Sequence, residues 1–226
     1  MRLLIAVKSC LRDRDKGCHD AIRNSWGCEV QDELRFFVGE SIKFTAGADD
    51  EISLDVADDY DSLPHKTRAI LRWSIALGYD FTFLCDNDTF VIPKKLKTCG
   101  YQDYDVSGLF KRTVRGGYRD ARGVYPDLYP WPSGGYGYFL SRKAAEVIVA
   151  QEPTVWAEDM YVGQCLGPKM KEGEITGANL QDLPENITWH FPNTYGVPYK
   201  PELGWMQGMQ KKEDHNDRHT SIGRTR

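Results

Sequence analysis

Two short runs of acids carry side chains able to do chemistry. FTFLCDNDTFV, residues 81–91, ends an apolar run on Asp86-Asn87-Asp88. Phe81 to Cys85 is aromatic-rich and too short for a helix, so it reads as a buried strand. The two carboxylates then stand where a sheet strand ends, the usual place for ligands in open α/β sheets. Carboxylates this close repel one another, and burying them is costly unless a cation joins them. A solvated turn bent by Asp86 and Asn87 is the plainer explanation. Glu158-Asp159 is the second run: it offers a general base, or simply acids favoured by the dipole at a helix start. His190, between Trp189 and Thr188 on one side and Phe191 on the other, is either a packed ring or a ligand for Mn²⁺ or Zn²⁺.

Read alone, Asp86-Asn87-Asp88 has two catalytic meanings. Phosphatases that form an aspartyl-phosphate carry DxDx[TV] at a strand end, but here the fifth residue is Phe90 and the threonine comes one place early. The other is the DxD of nucleotide-sugar transferases, whose hard carboxylate oxygens hold Mn²⁺ (or Mg²⁺) against a diphosphate.

The elements that must position these groups alternate along the chain. Strand signals lie at Leu3–Val7, Arg35–Gly39, Ile52–Leu54, Phe81–Cys85, Val106–Leu109 and Tyr136–Leu140. Helical spacing predicts Lys66–Leu77, stopped by Gly78, with His19–Trp26, Arg142–Ala150 and Glu158–Leu166 as further helices. Such alternation predicts an α/β sandwich with a mostly parallel central sheet. Trp26 and Trp73 are expected in the core. Residues 111 to 135 are Gly-, Arg-, Tyr- and then Pro-rich, a length that suggests a binding loop. The basic residues Lys111, Arg112, Arg115, Arg119 and Arg122 there read as solvated, or as contacts for an acidic substrate.

The 226 residues suit a catalytic domain over 1–208, followed by a charged, disordered tail over 209–226. His215 and His219 share helical spacing in that tail and read as solvent-exposed. A net charge of −4, from 29 Lys and Arg against 33 Asp and Glu, leaves no footprint for general nucleic-acid binding. Six cysteines without CxxC pairing read as free thiols. MRLLIAVKSC is too short for a signal peptide or membrane span, and the sequon Asn87-Asp88-Thr89 would be awkward in a secretory lumen. The expected place is therefore the cytoplasm, or the Golgi lumen only if an anchor has been removed.

Five segments, in order, resemble the β-1,3-galactosyltransferase and Fringe family of glycosyltransferases. AIRNSWG (21–27) is similar to the family's IRxTWG. LDVADDYDSLPHKT (54–67) is similar to its DFxDxYxNLTLKT at Asp55, Asp58, Tyr60, Leu63, Lys66 and Thr67. FLCDNDTFV looks like its DDD strand end, YPWPSGGYGYFLS (129–141) like YPxYxSGxGYVLS, and EDMYVGQCLG (158–167) like EDVYVGxCL. The departures are Asn87 for the middle aspartate, Ser25 for threonine, Pro64 ahead of Lys66, and no membrane anchor.

The resemblance implies a GT-A, Rossmann-like sandwich and a metal-dependent transferase that moves a hexose from a nucleotide sugar, uridine diphosphate by analogy, with inversion. In that reading Asp88 ligates the metal directly and Asp86 acts second, through water or the donor ribose. His190 stands where the family often supplies a late ligand, and Asn87 hydrogen-bonds the donor. Asp159 matches the base of the EDV segment, with Glu158 as the adjacent alternative. Arg23 meets the donor's diphosphate or uracil edge, or else forms a structural ion pair; Lys66 does likewise, or is a solvated helix residue. Trp131, Gly134, Gly135 and Tyr136 face the acceptor, which could be a glycan, a protein or a small molecule. The other reading is a non-catalytic module that binds a nucleotide sugar or glycan on the same fold.

Overall fold

The computed structural model describes residues 1–39, 48–111, 118–120, 123–125, 129–190 and 205–213. For 118–120, 123–125, 184, 185 and 190 it describes the backbone alone. Seven strands form the central sheet: β1 (Leu3–Lys8), β2 (Leu34–Gly39), β3 (Glu51–Leu54), β4 (Phe81–Asp86), β5 (Val106–Gly108), β6 (Tyr138–Ser141) and β7 (Gly177–Asn179). Their order is β7-β5-β6-β4-β1-β2-β3. All neighbours run parallel except β6, which is antiparallel to both β4 and β5. This is the mostly parallel α/β sandwich expected from the alternation of segments.

Both faces of the sheet are covered, which is why the central strands read as continuous apolar runs. Within β1 the side chains still alternate. Leu4 and Ala6 join Phe37, Leu84 and Leu140 in one core, while Leu3, Ile5 and Val7 join Phe36, Phe83 and Phe139 in the other. The first core is closed by α1 (Leu63–Ala76), α2 (Arg142–Val149) and α3 (Glu158–Lys171). The second is closed by the short helix Cys18–Arg23, by Trp26 and by Met206 from a helix over 205–213. Trp26 is fully buried and Trp73 packs at the edge of the first core, as expected.

Several boundaries differ from the sequence expectation. Helix α1 starts at Leu63 because Pro64 occupies its first turn, where a missing N–H costs nothing and the fixed φ suits a helix. The helix expected over His19–Trp26 ends at Arg23, and a 3₁₀ turn follows over Trp26–Glu29. Gly134–Tyr136 forms a 3₁₀ turn, so β6 begins only at Tyr138. The helix over 205–213 crosses the expected boundary at 208, with Glu213 2.8 Å from Lys95. Residues 214–226, including His215 and His219, lie outside the described residues. Among the described residues no helix is long and apolar enough to cross a membrane, and all six cysteines are free thiols.

Candidate active site

Register brings the site together. The parallel pairing of β1 with β4 sets Lys8 beside Asp86 at the carboxyl ends of both strands. Lys8 Nζ lies 3.1 Å from Asp86 Oδ1 and 2.9 Å from Glu158 Oε1, the first residue of α3. Its side chain is only 2% exposed. Burial disfavours the Lys8 charge, but the Asp86 and Glu158 carboxylates outweigh it and hold the ammonium above the ordinary lysine range. The Tyr138 hydroxyl donates to the same Glu158 oxygen, and Thr67 Oγ1 reaches it at 3.4 Å. Glu158 is thus held by residues of β1, β6 and α1. Gly134 permits this, because a Cβ there would stand 2.9 Å from Glu158 Oε2.

Two adjoining cavities open beside this knot, of about 510 and 710 Å³. Tyr60, Leu63, Asp86 and Asp88 line both, so they are two lobes of one cleft. Lys8, Ser9, Asp13, Asp58, Lys66 and Asn87 line the smaller lobe. Trp131, Gly134, Gly135, Tyr136, Glu158, Asp159 and Lys111 line the larger. All four residues expected at the acceptor, and the expected base, therefore share one lobe.

Asp159 is shaped by its neighbours. Burial raises its carboxyl above the usual carboxylate range and the adjacent Glu158 charge adds to that, while Lys111, 3.4 Å away, and Lys8 pull it back. Its other oxygen accepts from the Met160 backbone N–H at 2.9 Å. A carboxylate raised in this way is a stronger proton acceptor than a solvated one. Glu158 lines the same lobe, but one of its oxygens already serves Lys8, Tyr138 and Thr67. The geometry makes it a holder of the site rather than its base.

Two expected donor contacts need correction. Arg23 lines neither lobe. Its guanidinium meets Asp50 at 2.9 and 2.6 Å, Glu51 at 2.8 Å and Asp20 at 2.9 Å, and lies over the Phe36 ring. Three carboxylates thus take up its donors, and the ion-pair alternative holds. Lys66 does line the smaller lobe, yet its Nζ donates to the Ser9 carbonyl at 2.6 Å and to Asp58 Oδ1 at 2.7 Å. It is buried, not a solvated helix residue. Asp58 also accepts from the Leu11 and Gly39 backbone N–H groups, at 2.6 and 2.7 Å. The Lys66–Asp58 pair therefore braces the loop after β1.

Asn87 turns its amide nitrogen inward, to Ser9 Oγ at 3.0 Å and Asp13 Oδ2 at 3.3 Å. His190 stands on the strand Thr188–His190, whose backbone pairs antiparallel with Thr89–Val91. That register sets residue 190 opposite Thr89, the neighbour of Asp88. The same ribbon carries the acceptor-side turn: Thr89 Oγ1 donates to the Gly135 carbonyl at 3.0 Å and Thr188 Oγ1 to the Tyr136 carbonyl at 2.8 Å.

A divalent cation suits the donor set. Asp86 and Asp88 line an open lobe, and carboxylate oxygens are the hard ligands that such a cation would take, with diphosphate and water oxygens to complete its shell. Among the described residues no group of three or more His, Cys, Asp or Glu side chains is placed to hold a metal ion. Sequence reasoning missed Lys8, Ser9, Asp13 and Tyr138. A lysine closing the apolar run LLIAV was the signal for Lys8, and the GYVLS-like end of the segment 129–141 was the signal for Tyr138; Ser9 and Asp13 have none in the chain itself.

The galactosyltransferase family model matches residues 19–171. No curated protein matches the chain. Similar solved structures include 2-C-methyl-D-erythritol 4-phosphate cytidylyltransferase from Thermus thermophilus, with TM-score 0.49 and 9% identity, covering 93% of this chain and 100% of that one. Another is a glycosyltransferase involved in the glycosylation of the major capsid of PBCV-1, with TM-score 0.44 and 8% identity, covering 92% and 99%. The family match spans more than half of the chain and takes in Asp86, Asp88, Trp131 and Asp159, and on it the chain belongs to the galactosyltransferase family.

Proposed function

We propose that the protein is an inverting hexosyltransferase of the β-1,3-galactosyltransferase kind, moving a hexose from a uridine diphosphate sugar to an acceptor hydroxyl with Mn²⁺ or Mg²⁺. The observation that carries this reading is the shared wall: Asp86 and Asp88 line both lobes, and Asp159 lines the larger one. A donor diphosphate in the smaller lobe and an acceptor in the larger would meet at these carboxylates.

Asp88 and Asp86 would hold the cation, with His190 as a third ligand beside them on the paired strand. When bound, the cation supplies Lewis-acid neutralisation of charge on the departing diphosphate. The remaining work belongs to the chain. Asp159 accepts the proton of the acceptor hydroxyl as that oxygen attacks the anomeric carbon from the face opposite the leaving group. Lys8 keeps Asp86 and the start of α3 at a set separation, so donor and base stay aligned. Trp131 lines the acceptor lobe from a mostly buried position, and the Gly134–Tyr136 turn lets backbone approach the acceptor sugar.

The test follows diphosphate release with Mn²⁺, a panel of nucleotide sugars and a panel of acceptors. Asp88→Ala is expected to remove metal-dependent donor affinity. Asp159→Asn is expected to keep that affinity and lower kcat about 100- to 10,000-fold. Donor binding without release, whatever acceptor is supplied, would sink the enzyme reading in favour of a binding module.

A further inference from the structure

A string of polar side chains runs from behind the smaller lobe to its wall, which Ser9, Asp13 and Asn87 line. Glu51 Oε1 lies 2.8 Å from His19 Nδ1, and His19 Nε2 lies 2.7 Å from Ser9 Oγ. Asn87 Nδ2 donates to that same Ser9 oxygen at 3.0 Å and to Asp13 Oδ2 at 3.3 Å. His19 is 1% exposed, and its ring stacks on Phe36 with centroids 4.3 Å apart. The string thus joins edge strand β3, the helix Cys18–Arg23, the end of β1 and the loop after β4.

With a neutral imidazole, which the burial of His19 favours, donor and acceptor counts fix the direction of each bond. A carboxylate only accepts, so His19 Nδ1 carries the hydrogen towards Glu51. The Asn87 nitrogen only donates, so Ser9 Oγ receives it and turns its own hydrogen to His19 Nε2. One arrangement satisfies every link: a neutral imidazole protonated at Nδ1. An aspartate at position 87 would break it twice. With the ring still neutral, Ser9 would have to give its hydrogen to that carboxylate, stranding His19 Nε2, and the Asp13 carboxylate would face a like charge. The middle asparagine is therefore the residue this string requires. An acid–His–Ser string elsewhere activates a nucleophile. Here the Asn87 N–H sits on the serine oxygen, so the string ends on the loop after β4, at the wall of the smaller lobe.

We propose that His19 and Ser9 are positioning residues for sugar transfer, holding Asp86 and Asp88 in place through the Asn87 amide. This rests on the reading of those two aspartates as donor and metal ligands, and the test separates the two claims. In the ¹⁵N-labelled full chain at neutral pH, His19 should carry a proton on Nδ1 and none on Nε2, and the Asn87 NH₂ should exchange slowly. In Ser9→Ala and in His19→Gln that exchange should quicken, and calorimetric affinity for Mn²⁺ with uridine diphosphate should fall about tenfold. The double variant should lose no more than either single one, because a single string is cut. Asn87→Asp should show the same loss, partly recovered by adding Asp13→Asn. A wild-type ring protonated at Nε2, or Asn87 protons as protected in Ser9→Ala as in the wild type, overturns the proposal whether or not sugar is transferred. Should the Asn87 protons respond as expected while Asp88→Ala binds Mn²⁺ and nucleotide like the wild type, the assignment of the aspartates fails. The functional half of the proposal then fails with it.

Discussion

Asp159 and Lys111 sit at opposite ends of a 3.4 Å contact in the larger lobe, and with Asp159 as the proposed base their balance would set the working range of the site. Burial raises the Asp159 carboxyl, and the Lys111 ammonium lowers it. A base must be ionised to accept a proton, so the acid limb of the kcat/KM profile should lie above that of an ordinary aspartate. Lys111→Ala removes a lowering influence and should move that limb to higher pH, leaving the donor lobe untouched; a pH–rate profile reads the shift. Stability follows the opposite sense. The folded state holds this proton more tightly than the unfolded chain, so ionising Asp159 costs stability as pH rises above the ordinary carboxylate value. Asp159→Asn should therefore melt at a higher temperature than the wild type at neutral pH while losing activity, a trade expected of a working site.

Helix α3 carries Asp159 in its first turn and two glycines, Gly163 and Gly167, one turn apart on the face that meets the segment 129–131. A Cβ at Gly163 would stand 2.6 Å from Trp131 Cβ and 3.1 Å from the Pro130 carbonyl oxygen. At Gly167 it would reach within 2.0 Å of the Tyr129 ring. The helix lies this close because it lacks those two carbons. Alanine is favoured over glycine inside a helix by about 0.8–1 kcal/mol, whereas forcing atoms into packed space costs about 1–3 kcal/mol. With backbone among the atoms struck, overpacking wins. Gly163→Ala should be destabilised by up to about 2 kcal/mol, the difference of the two, with a lower Tm in calorimetry. Because Asp159 lies one turn before Gly163, kcat should fall as well. In the sequence, EDMYVGQCLG displayed the helix and its acids, but its apolar spacing could not show that the glycine face was the packed one.

Across the whole molecule, the acid side of the stability curve should carry the mark of His19. Burial lowers its pKa from the ordinary value of 6.5 despite the Glu51 carboxylate, so the native state binds fewer protons than the unfolded chain in that window. Stability is then complete above about pH 6.5 and is lost as pH falls below it, by at most about 1.4 kcal/mol per pH unit. Asp13 and Asp105, both lowered, act separately below the ordinary aspartate value. A series of melting temperatures from about pH 5 to 7.5 should slope downward towards acid in the wild type and flatten in His19→Gln. An unchanged slope would place the titrating group elsewhere.

The sequence alone determined the succession of strands and helices, the end of β4 as the place of chemistry, and the family motifs in their order. Those signals are local: apolar periodicity, a proline at a helix start and acids after an apolar run are each written within a short stretch of chain. The tertiary structure decided which charges are already spoken for. Arg23 and Lys66 looked available in the chain, and their carboxylate partners take them up only when β1, β2 and β3 align. Lys8 meets Asp86 through sheet register and Glu158 through the docking of α3, contacts between residues far apart in sequence. Pairing of that range depends on how elements pack, and no local pattern of residue types encodes it.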